Sequence, residues 1–163
     1  MAYVVNDKHH MTRPNFNIIL RAGLLAGTLD ILAAILILAK GNAVGTLKFI
    51  ASGVFGKAAF AGGYNMVALG AVFHYLIATS FAAGYLFAYP HLAFLQKNKW
   101  LSGVLYGVFV WAVMNLLVVP MSGVPQSPFA WDSALKNMAI LVVCIGLPIA
   151  WLADKFYATN QKQ

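Results

Sequence analysis

Four long apolar runs dominate the sequence and limit what the chain can fold into. These runs extend over about residues 16–40, 64–89, 101–120 and 134–157. Each run has about the ~20 residues that a helix needs to cross a hydrocarbon core of ~30 Å. Because the hydrophobicity is continuous rather than alternating, helices are favoured over a membrane β-barrel. The sequence therefore predicts an all-α integral membrane protein with four transmembrane helices in an antiparallel bundle.

The composition agrees with this class. Hydrophobic residues make up 61% of the 163 residues and charged residues only 9%, whereas a soluble domain has about a quarter charged residues. The length predicts one transmembrane domain, 16–157, between an N-terminal tail, 1–15, and a polar C-terminal tail, 158–163. The first run is longer than the apolar region of a signal peptide and contains Asp30, so we expect an uncleaved first helix.

The net charge of +7 raises the question of nucleic-acid binding. Nucleic-acid-binding proteins concentrate basic residues on one face, but here these residues flank the apolar runs, as in topology signals and lipid head-group contacts. We therefore predict a lipid bilayer as partner and no nucleic acid. With both termini in the cytoplasm, six basic residues lie inside and four outside, which favours this topology. The inner set is Lys8, Arg13, Lys97, Lys99, Lys155 and Lys162, and the outer set is Lys40, Lys48, Lys57 and Lys136.

A shorter apolar segment, "TLKFIASGVFGKAAFAGG", lies between the first two runs at residues 46–63. Its apolar residues share one face of a helical wheel, with Lys57 at the edge of that face. The segment is too short and too charged for a fifth span. It predicts a short helix over about 46–60, and the sequence leaves open whether this helix lies in the membrane interface or re-enters the membrane.

Two pairs of glycines indicate close helix packing. Gly23 and Gly27 are four residues apart in the first run, as are Gly103 and Gly107 in the third. Such pairs let helix backbones approach closely, which is a main source of helix association in lipid. Packing inside the chain is the favoured interpretation, and a seam between the subunits of a homo-oligomer is the alternative.

The search for catalytic motifs finds little. The sequence has no glycine-rich phosphate loop, no nucleophile elbow, and no His, Cys and carboxylate cluster at metal-ligand spacing. His74 and His91 would lie about 25 Å apart along a helix and so cannot share one haem; the alternative that the sequence leaves open is a haem held by His74 and a residue of another chain. We therefore predict no enzymatic activity, no catalytic residues, no cofactor and no metal.

Asp30 is the exception within the first run, "AGLLAGTLDILAAILILAKG". A carboxylate at mid-helix costs about 2.5–3.5 kcal/mol on insertion scales, so it should face the bundle interior rather than lipid. Arg21 cannot be its partner, because nine residues at about 100° each place it on the opposite face of the helix. The partner must come from another helix.

Depth in the membrane predicts that partner. Asp30 lies ten residues before the end of its run and His74 ten residues after the start of the next, so in antiparallel helices both lie about 15 Å below the outer surface. We predict that Asp30 bonds to His74 directly or through one water, with Asn115 or Lys57 nearby. Two roles remain open: a structural clasp between helices, which is favoured, and a proton relay or ion site.

The run from "FHYLIATSFAAGYLFAYPHL" through "KNKWLSGVLYGVFVWAVMNLLVVPMSGVP" resembles the YagU-like family of bacterial inner-membrane proteins. The shared features are a histidine in the middle of a span, an aromatic residue before the proline that ends this span, and a short loop with lysines. A helix with two glycines four residues apart follows, and it ends in a Pro-x-x-Gly-x-Pro turn. The resemblance covers about residues 64–125. It implies a helical bundle in the bacterial inner membrane. That family has no assigned activity, so no catalytic residues carry over. The residues that carry the shared features are His74, Pro90, Gly103, Gly107, Pro120, Gly123 and Pro125.

Two function classes follow. In the first, the protein is a channel or transporter for a small solute or protons, with intramembrane polar residues along the path, and is oligomeric. In the second, it is a non-transporting accessory subunit of a larger membrane complex, or a structural or stress-related membrane protein. The sequence slightly favours the first class. We expect that a single chain lacks a row of polar side chains that reaches both membrane surfaces.

Overall fold

The computed structural model describes residues 13–125 and 130–160. Within those ranges, four helices are long and apolar enough to cross a membrane, and no strand is present. This confirms the predicted all-α transmembrane bundle. We call the helices the first span (Phe16–Leu38), the second span (Tyr64–Ala88), the third span (Lys99–Met121) and the fourth span (Trp131–Asn160).

Successive spans run in opposite directions. Gly23 of the first span faces Thr79 of the second, while Gly27, one turn later, accepts a hydrogen bond from His74, which lies earlier in its span. Rising residue numbers in one helix thus meet falling numbers in the other. The four spans are antiparallel neighbours, so the end of the first span and the start of the second lie at the same membrane surface.

The paired glycines all lie against other helices of the same chain. A methyl group on Gly103 would lie 3.1 Å from the Cα of Leu147, and one on Gly107 would collide with the backbone of Val142. A methyl group on Gly27 would lie 3.0 Å from the Cβ of Ala78. The third and fourth spans therefore approach closely through Gly103 and Gly107, and the first and second through Gly27, without a subunit seam being needed.

One half of the bundle packs around buried tyrosines, and we call it the tyrosine half; an apolar groove of about 490 Å³ lies beside it, between the second and third spans. Tyr85 and Tyr157 are almost completely buried there. The Tyr85 hydroxyl bonds to the Ser102 hydroxyl at 2.9 Å, and the Tyr157 hydroxyl donates to the Leu86 carbonyl at 2.8 Å. Near the end of this half, Lys99 pairs with Asp154 at 2.9 Å, and the Tyr89 hydroxyl donates to the same carboxylate at 3.4 Å. The polar groups of the tyrosine half thus satisfy one another between the helices. Fully buried neighbours are Ala22, Ala26, Ala82, Ile149, Ala150 and Ala153.

A shorter helix, Ala43–Phe55, lies between the first two spans, and we call it the interposed helix. It begins earlier than the predicted residue 46, because the Asn42 side chain caps it by accepting from the Gly45 N–H at 2.8 Å. The chain reaches this cap through a left-handed turn at Gly41, with φ +90°. The helix ends at Gly56, whose φ of +56° suits a residue without Cβ.

The interposed helix is fixed to the second and third spans. Gly70 of the second span lies so close to the Leu47 carbonyl that a methyl group there would overlap it. The Gly53 carbonyl accepts a hydrogen bond of 2.8 Å from the Gly123 N–H, in the loop after the third span. The interposed helix therefore covers the bundle at the end opposite the tyrosine half.

Three spans contain a π-helical turn: Ala34–Leu38, Met114–Val118 and Val142–Gly146. The last two end two residues before a proline, Pro120 and Pro148. Proline lacks an N–H and clashes with the backbone carbonyl four residues earlier. In both spans that carbonyl belongs to a residue inside the π-turn. A widened turn accommodates that carbonyl. Such turns often occur at functional sites, and these three lie near the cavity described next.

Candidate functional site

A cavity of about 620 Å³ lies under the interposed helix, between the ends of the first, third and fourth spans, and it reaches the second span at its deepest point. Its volume is in the range of small-molecule sites, about 300–1,000 Å³. Its walls are mainly apolar and carry a few polar side chains. These are Asp30, Asn42, Thr46, His74, Asn115, Ser133 and Asn137.

The polar side chains extend from the membrane surface to its middle. Asn42 and Thr46 lie at the mouth, beside the start of the interposed helix. Asn115 precedes the end of the third span by six residues, about 9 Å, and Asp30 precedes the end of the first by eight, about 12 Å. His74 lies ten residues inside the second span, about 15 Å deep. The cavity thus opens at one surface and ends near mid-membrane.

His74 forms the deepest polar contact. It is 9% exposed, and its Nε2 lies 2.7 Å from the Gly27 carbonyl oxygen. Because a carbonyl oxygen only accepts, Nε2 must carry the proton of this hydrogen bond. The ring can therefore gain or lose a proton only at Nδ1. The bond also joins the first and second spans.

Asp30 lies beside His74 but does not bond to it. The carboxylate is close enough to His74 for an electrostatic interaction, yet no hydrogen bond or ion pair joins Asp30 to any described residue. Among the described residues, Trp111 Nε1 is the one side-chain polar atom that is both fully buried and without a partner. The Asp30 oxygens also have no partner, so they must be partly accessible. The carboxylate of Asp30 therefore faces the cavity. The predicted direct bond to His74 is not formed: the Nε2 proton of His74 is donated to the Gly27 carbonyl, and Nδ1 has no hydrogen bond to Asp30. A water-bridged contact stays a prediction.

The other two predicted neighbours differ in position. Asn115 lines the same cavity, and its Nδ2 donates to the Trp111 carbonyl at 2.9 Å, which leaves its Oδ1 as an acceptor. Lys57 is exposed and lies outside the cavity lining. The interposed helix ends at Phe55, and Lys57 instead precedes a separate short helix, Ala58–Ala61. The structure therefore brings Asp30, His74 and Asn115 together and separates Lys57 from them.

Sequence reasoning missed four polar residues of the lining: Asn42, Thr46, Ser133 and Asn137. Asn137 carried a usable signal. It lies six residues inside the fourth span, as Asn115 lies six residues inside the third, so the depth comparison that paired Asp30 with His74 would have matched these two amides.

Asp30 gives the cavity its electrostatic character, since it is the one Asp, Glu, Lys or Arg in the described lining. A carboxylate in a poorly polarisable surrounding attracts cations strongly, and it can take up a proton when no cation is present. The arrangement can therefore bind a proton or another positive charge at mid-membrane. No group of three His, Cys, Asp or Glu in the described ranges is placed to hold a metal ion.

Comparison with known proteins gives no relative: no protein-family profile, no curated protein and no solved structure matches this chain. The resemblance of residues 64–125 to the YagU-like family therefore stays a prediction.

Proposed function

We propose that this multi-pass membrane protein is a carrier in the bacterial inner membrane that binds protons at Asp30 and His74, moves them across the membrane down their gradient, and binds a small solute in the same cavity. The observation that carries the proposal is the unbonded Asp30 carboxylate near the end of the cavity. The structural clasp between the first two spans is made by His74 and the Gly27 carbonyl. A clasp therefore does not account for Asp30, and intramembrane carboxylates that face cavities commonly belong to ion or proton paths.

The closed half of the bundle supports a carrier rather than an open channel. Below Gly27, the first span presents Ala22, Ala26 and Gly23, which are buried against neighbouring helices. In the same half the hydroxyls of Tyr85 and Tyr157 bond to Ser102 and to the Leu86 carbonyl, and the groove of about 490 Å³ beside Tyr85 has mainly apolar walls. A channel needs a water-filled path at this depth. A carrier needs only that the cavity opens to each side in turn.

The two titratable groups at the end of the cavity have complementary roles in this proposal. Asp30 binds the proton that arrives through the cavity, because its carboxylate has no hydrogen-bond donor among the described residues. His74 exchanges a proton at Nδ1 while Nε2 keeps its bond to Gly27. Protonation changes the charge at the contact between the first and second spans. These two helices must move relative to each other for the cavity to open at the opposite membrane surface.

Proton flux into liposomes tests the proposal. Purified protein is reconstituted with a trapped pH-sensitive dye, and a potassium diffusion potential drives protons inward. We expect wild-type protein to increase the flux at least tenfold over empty liposomes and Asp30→Asn to remove most of this increase. Asp132→Asn is the matched control, because Asp132 lies in an exposed pair with Lys136 outside the cavity and should keep wild-type flux.

Two results would contradict the proposal. Wild-type flux equal to that of empty liposomes would favour the accessory-subunit interpretation. Equal flux in wild-type protein and Asp30→Asn would exclude Asp30 as the proton site. Both variants are compared at equal reconstitution yield and with the same helix content by circular dichroism, so that misfolding does not imitate a loss of flux.

A further inference from the structure

The cavity also indicates what kind of solute it accepts. We propose that it binds a small organic cation, an alkylammonium or arylalkylammonium ion, whose head group contacts the Asp30 carboxylate in exchange for a proton. This inference rests on the proposed function only in assigning the proton to the same carboxylate. Three features of the cavity support this ligand: the charge near its end, the apolar nature of its walls, and the groups that exchange protons there.

The charge requires a positive ligand. Asp30 is the one formally charged side chain in the described lining, and no lysine near the mouth forms an ion pair with it. Lys40 follows the lining residue Ala39 but is exposed. Lys48 donates to the Phe60 carbonyl at 3.2 Å, and Lys136 pairs with Asp132 at 2.7 Å. No described lysine or arginine therefore neutralises Asp30. A buried carboxylate needs a partner or a proton, and a cationic ligand supplies the partner.

The apolar walls of the cavity favour a ligand with a hydrocarbon group. Around the carboxylate, the lining is formed mainly by aliphatic and aromatic side chains from three spans and the interposed helix. An inorganic cation such as Ca²⁺ needs six to eight converging oxygens, which these walls do not offer. A hydrocarbon group attached to an ammonium gains from their burial, at about 25 cal/mol per Å² of apolar surface. Six of the apolar wall residues are Ile31, Leu38, Phe49, Ile50, Met114 and Ile140.

The polar side chains complete the recognition. An ammonium has several N–H donors, so one carboxylate does not satisfy it. Asn115 offers a free Oδ1, because its Nδ2 is bonded to the Trp111 carbonyl, and Asn137 lines the same cavity at a similar depth. A carboxylate with amide acceptors at about the same level suits a primary ammonium head group.

Proton exchange follows from the groups that face Asp30. His74 faces it from the second span, and Cys144 is the titratable side chain that interacts with it from the fourth. No titratable residue of the third span or the interposed helix lines the cavity. When the ammonium binds, the O–H bond of a protonated Asp30 breaks, the proton leaves to water, and an N–H···O bond forms. The net charge of the site is the same before and after the exchange.

Calorimetric titration of the purified full-length protein with 2-phenylethylammonium chloride tests the inference. The neutral isostere 2-phenylethanol is titrated in parallel, and empty detergent micelles correct for partitioning. We expect the affinity for the ammonium to rise as the pH is raised, because protons compete with the ammonium for Asp30. Two buffers of different ionisation enthalpy should show that a proton is released. The alcohol should bind at least tenfold more weakly, with no pH dependence.

The variants give a second, independent check. Asp30→Asn should lose the pH dependence and at least tenfold in affinity for the ammonium, while Asp132→Asn should bind like the wild type. Equal affinities for ammonium and alcohol, an affinity that does not change with pH, or wild-type binding by Asp30→Asn would overturn the inference. The wild-type comparison decides the question even if Asp30→Asn does not fold.

The outcome is separable from that of the proposed function. Proton flux in liposomes without ammonium binding refutes the cation site and leaves the carrier proposal standing. Ammonium binding with proton release, but without flux, establishes the site and refutes the carrier.

Discussion

The imidazole of His74 donates a hydrogen bond of 2.7 Å from Nε2 to the backbone carbonyl of Gly27 and so joins the second span to the first. Gly27 permits this contact, because a side chain there would meet the ring of Tyr75 at 3.1 Å and Ala78 at 3.0 Å. The close approach brings the carbonyl within reach of the imidazole. The clasp between these helices therefore uses a backbone acceptor, which leaves the Asp30 carboxylate available to a ligand.

The first prediction concerns the stability of this clasp. His74→Phe keeps a ring of similar size but removes the donor, so the Gly27 carbonyl loses its side-chain partner. We expect the free energy of unfolding to fall by about 0.6–1.7 kcal/mol, the range for interhelical hydrogen bonds in membranes. Unfolding by sodium dodecyl sulfate in mixed micelles measures it.

The control for this measurement is His91→Phe, because His91 is exposed beyond the end of the second span. It should leave the unfolding free energy unchanged. If His74→Phe were as stable as the wild type, the bond to Gly27 would contribute nothing to holding the two spans together.

Much of this architecture could be predicted from the sequence, for a physical reason. The length and continuity of the apolar runs are direct consequences of bilayer thickness, so the four spans were predictable to within about three residues. Depth was predictable as well, because each span rises by about 1.5 Å per residue, and this placed Asp30 and His74 at similar levels.

The partners of individual atoms could not be predicted. Whether His74 bonds to Asp30 or to the Gly27 carbonyl depends on the rotation of two helices about their axes, which the glycine contacts set. The position of Lys57 depended on where the interposed helix ends, and the reversal at Gly56 decides that. The π-turns, which shift the phase of three spans, were not foreseen.

The second prediction distinguishes packing inside the chain from a subunit seam. Gly107→Ala places a methyl group against the backbone of Val142, and we expect it to lower the unfolding free energy by about 1–3 kcal/mol, as overpacking does. Gly84→Ala is the matched control, since the nearest atom to its methyl group is the Tyr106 hydroxyl at 3.7 Å. It should be neutral or slightly stabilising, because alanine favours helix.

Size-exclusion chromatography with light scattering then tests the alternative interpretation. If Gly107→Leu stayed folded and shifted the protein from oligomer to monomer, Gly107 would belong to a seam between subunits. We expect loss of folded protein instead, because the fourth span occupies the space that the leucine would need.

The third prediction concerns the attachment of the interposed helix. Gly70→Ala directs a methyl group into the Leu47 carbonyl, so the helix must move away from the second span. We expect amide hydrogen exchange across Ala43–Phe55 to become at least tenfold faster, measured by mass spectrometry. Gly63→Ala serves as the control, because its methyl group would lie no closer than 3.6 Å to Asn65. Unchanged exchange in Gly70→Ala would mean that this contact does not hold the helix in place.

The fourth prediction tests whether water enters the cavity from one side only. Asn115 and Leu116 are neighbours at the same depth in the third span, but Asn115 lines the cavity, whereas Leu116 lies outside the lining with its side chain exposed on the bundle surface. In a Cys144→Ser background, Asn115→Cys should react with a membrane-impermeant, positively charged methanethiosulfonate, because the reagent enters the cavity and the field of Asp30 attracts it. Leu116→Cys should react at least tenfold more slowly, because its thiol would face lipid, where a charged reagent does not enter.

The side of reaction also tests the predicted topology. With both termini in the cytoplasm, the first span ends, and the cavity opens, at the periplasmic surface. Asn115→Cys should therefore react when the reagent is added to spheroplasts and not when it is added to inside-out vesicles. Equal rates for Asn115→Cys and Leu116→Cys would refute a water-filled cavity. Reaction of Asn115→Cys from the cytoplasmic side alone would reverse the topology and keep the cavity. Reaction from both sides at similar rates would indicate a continuous path and contradict the closure of the tyrosine half.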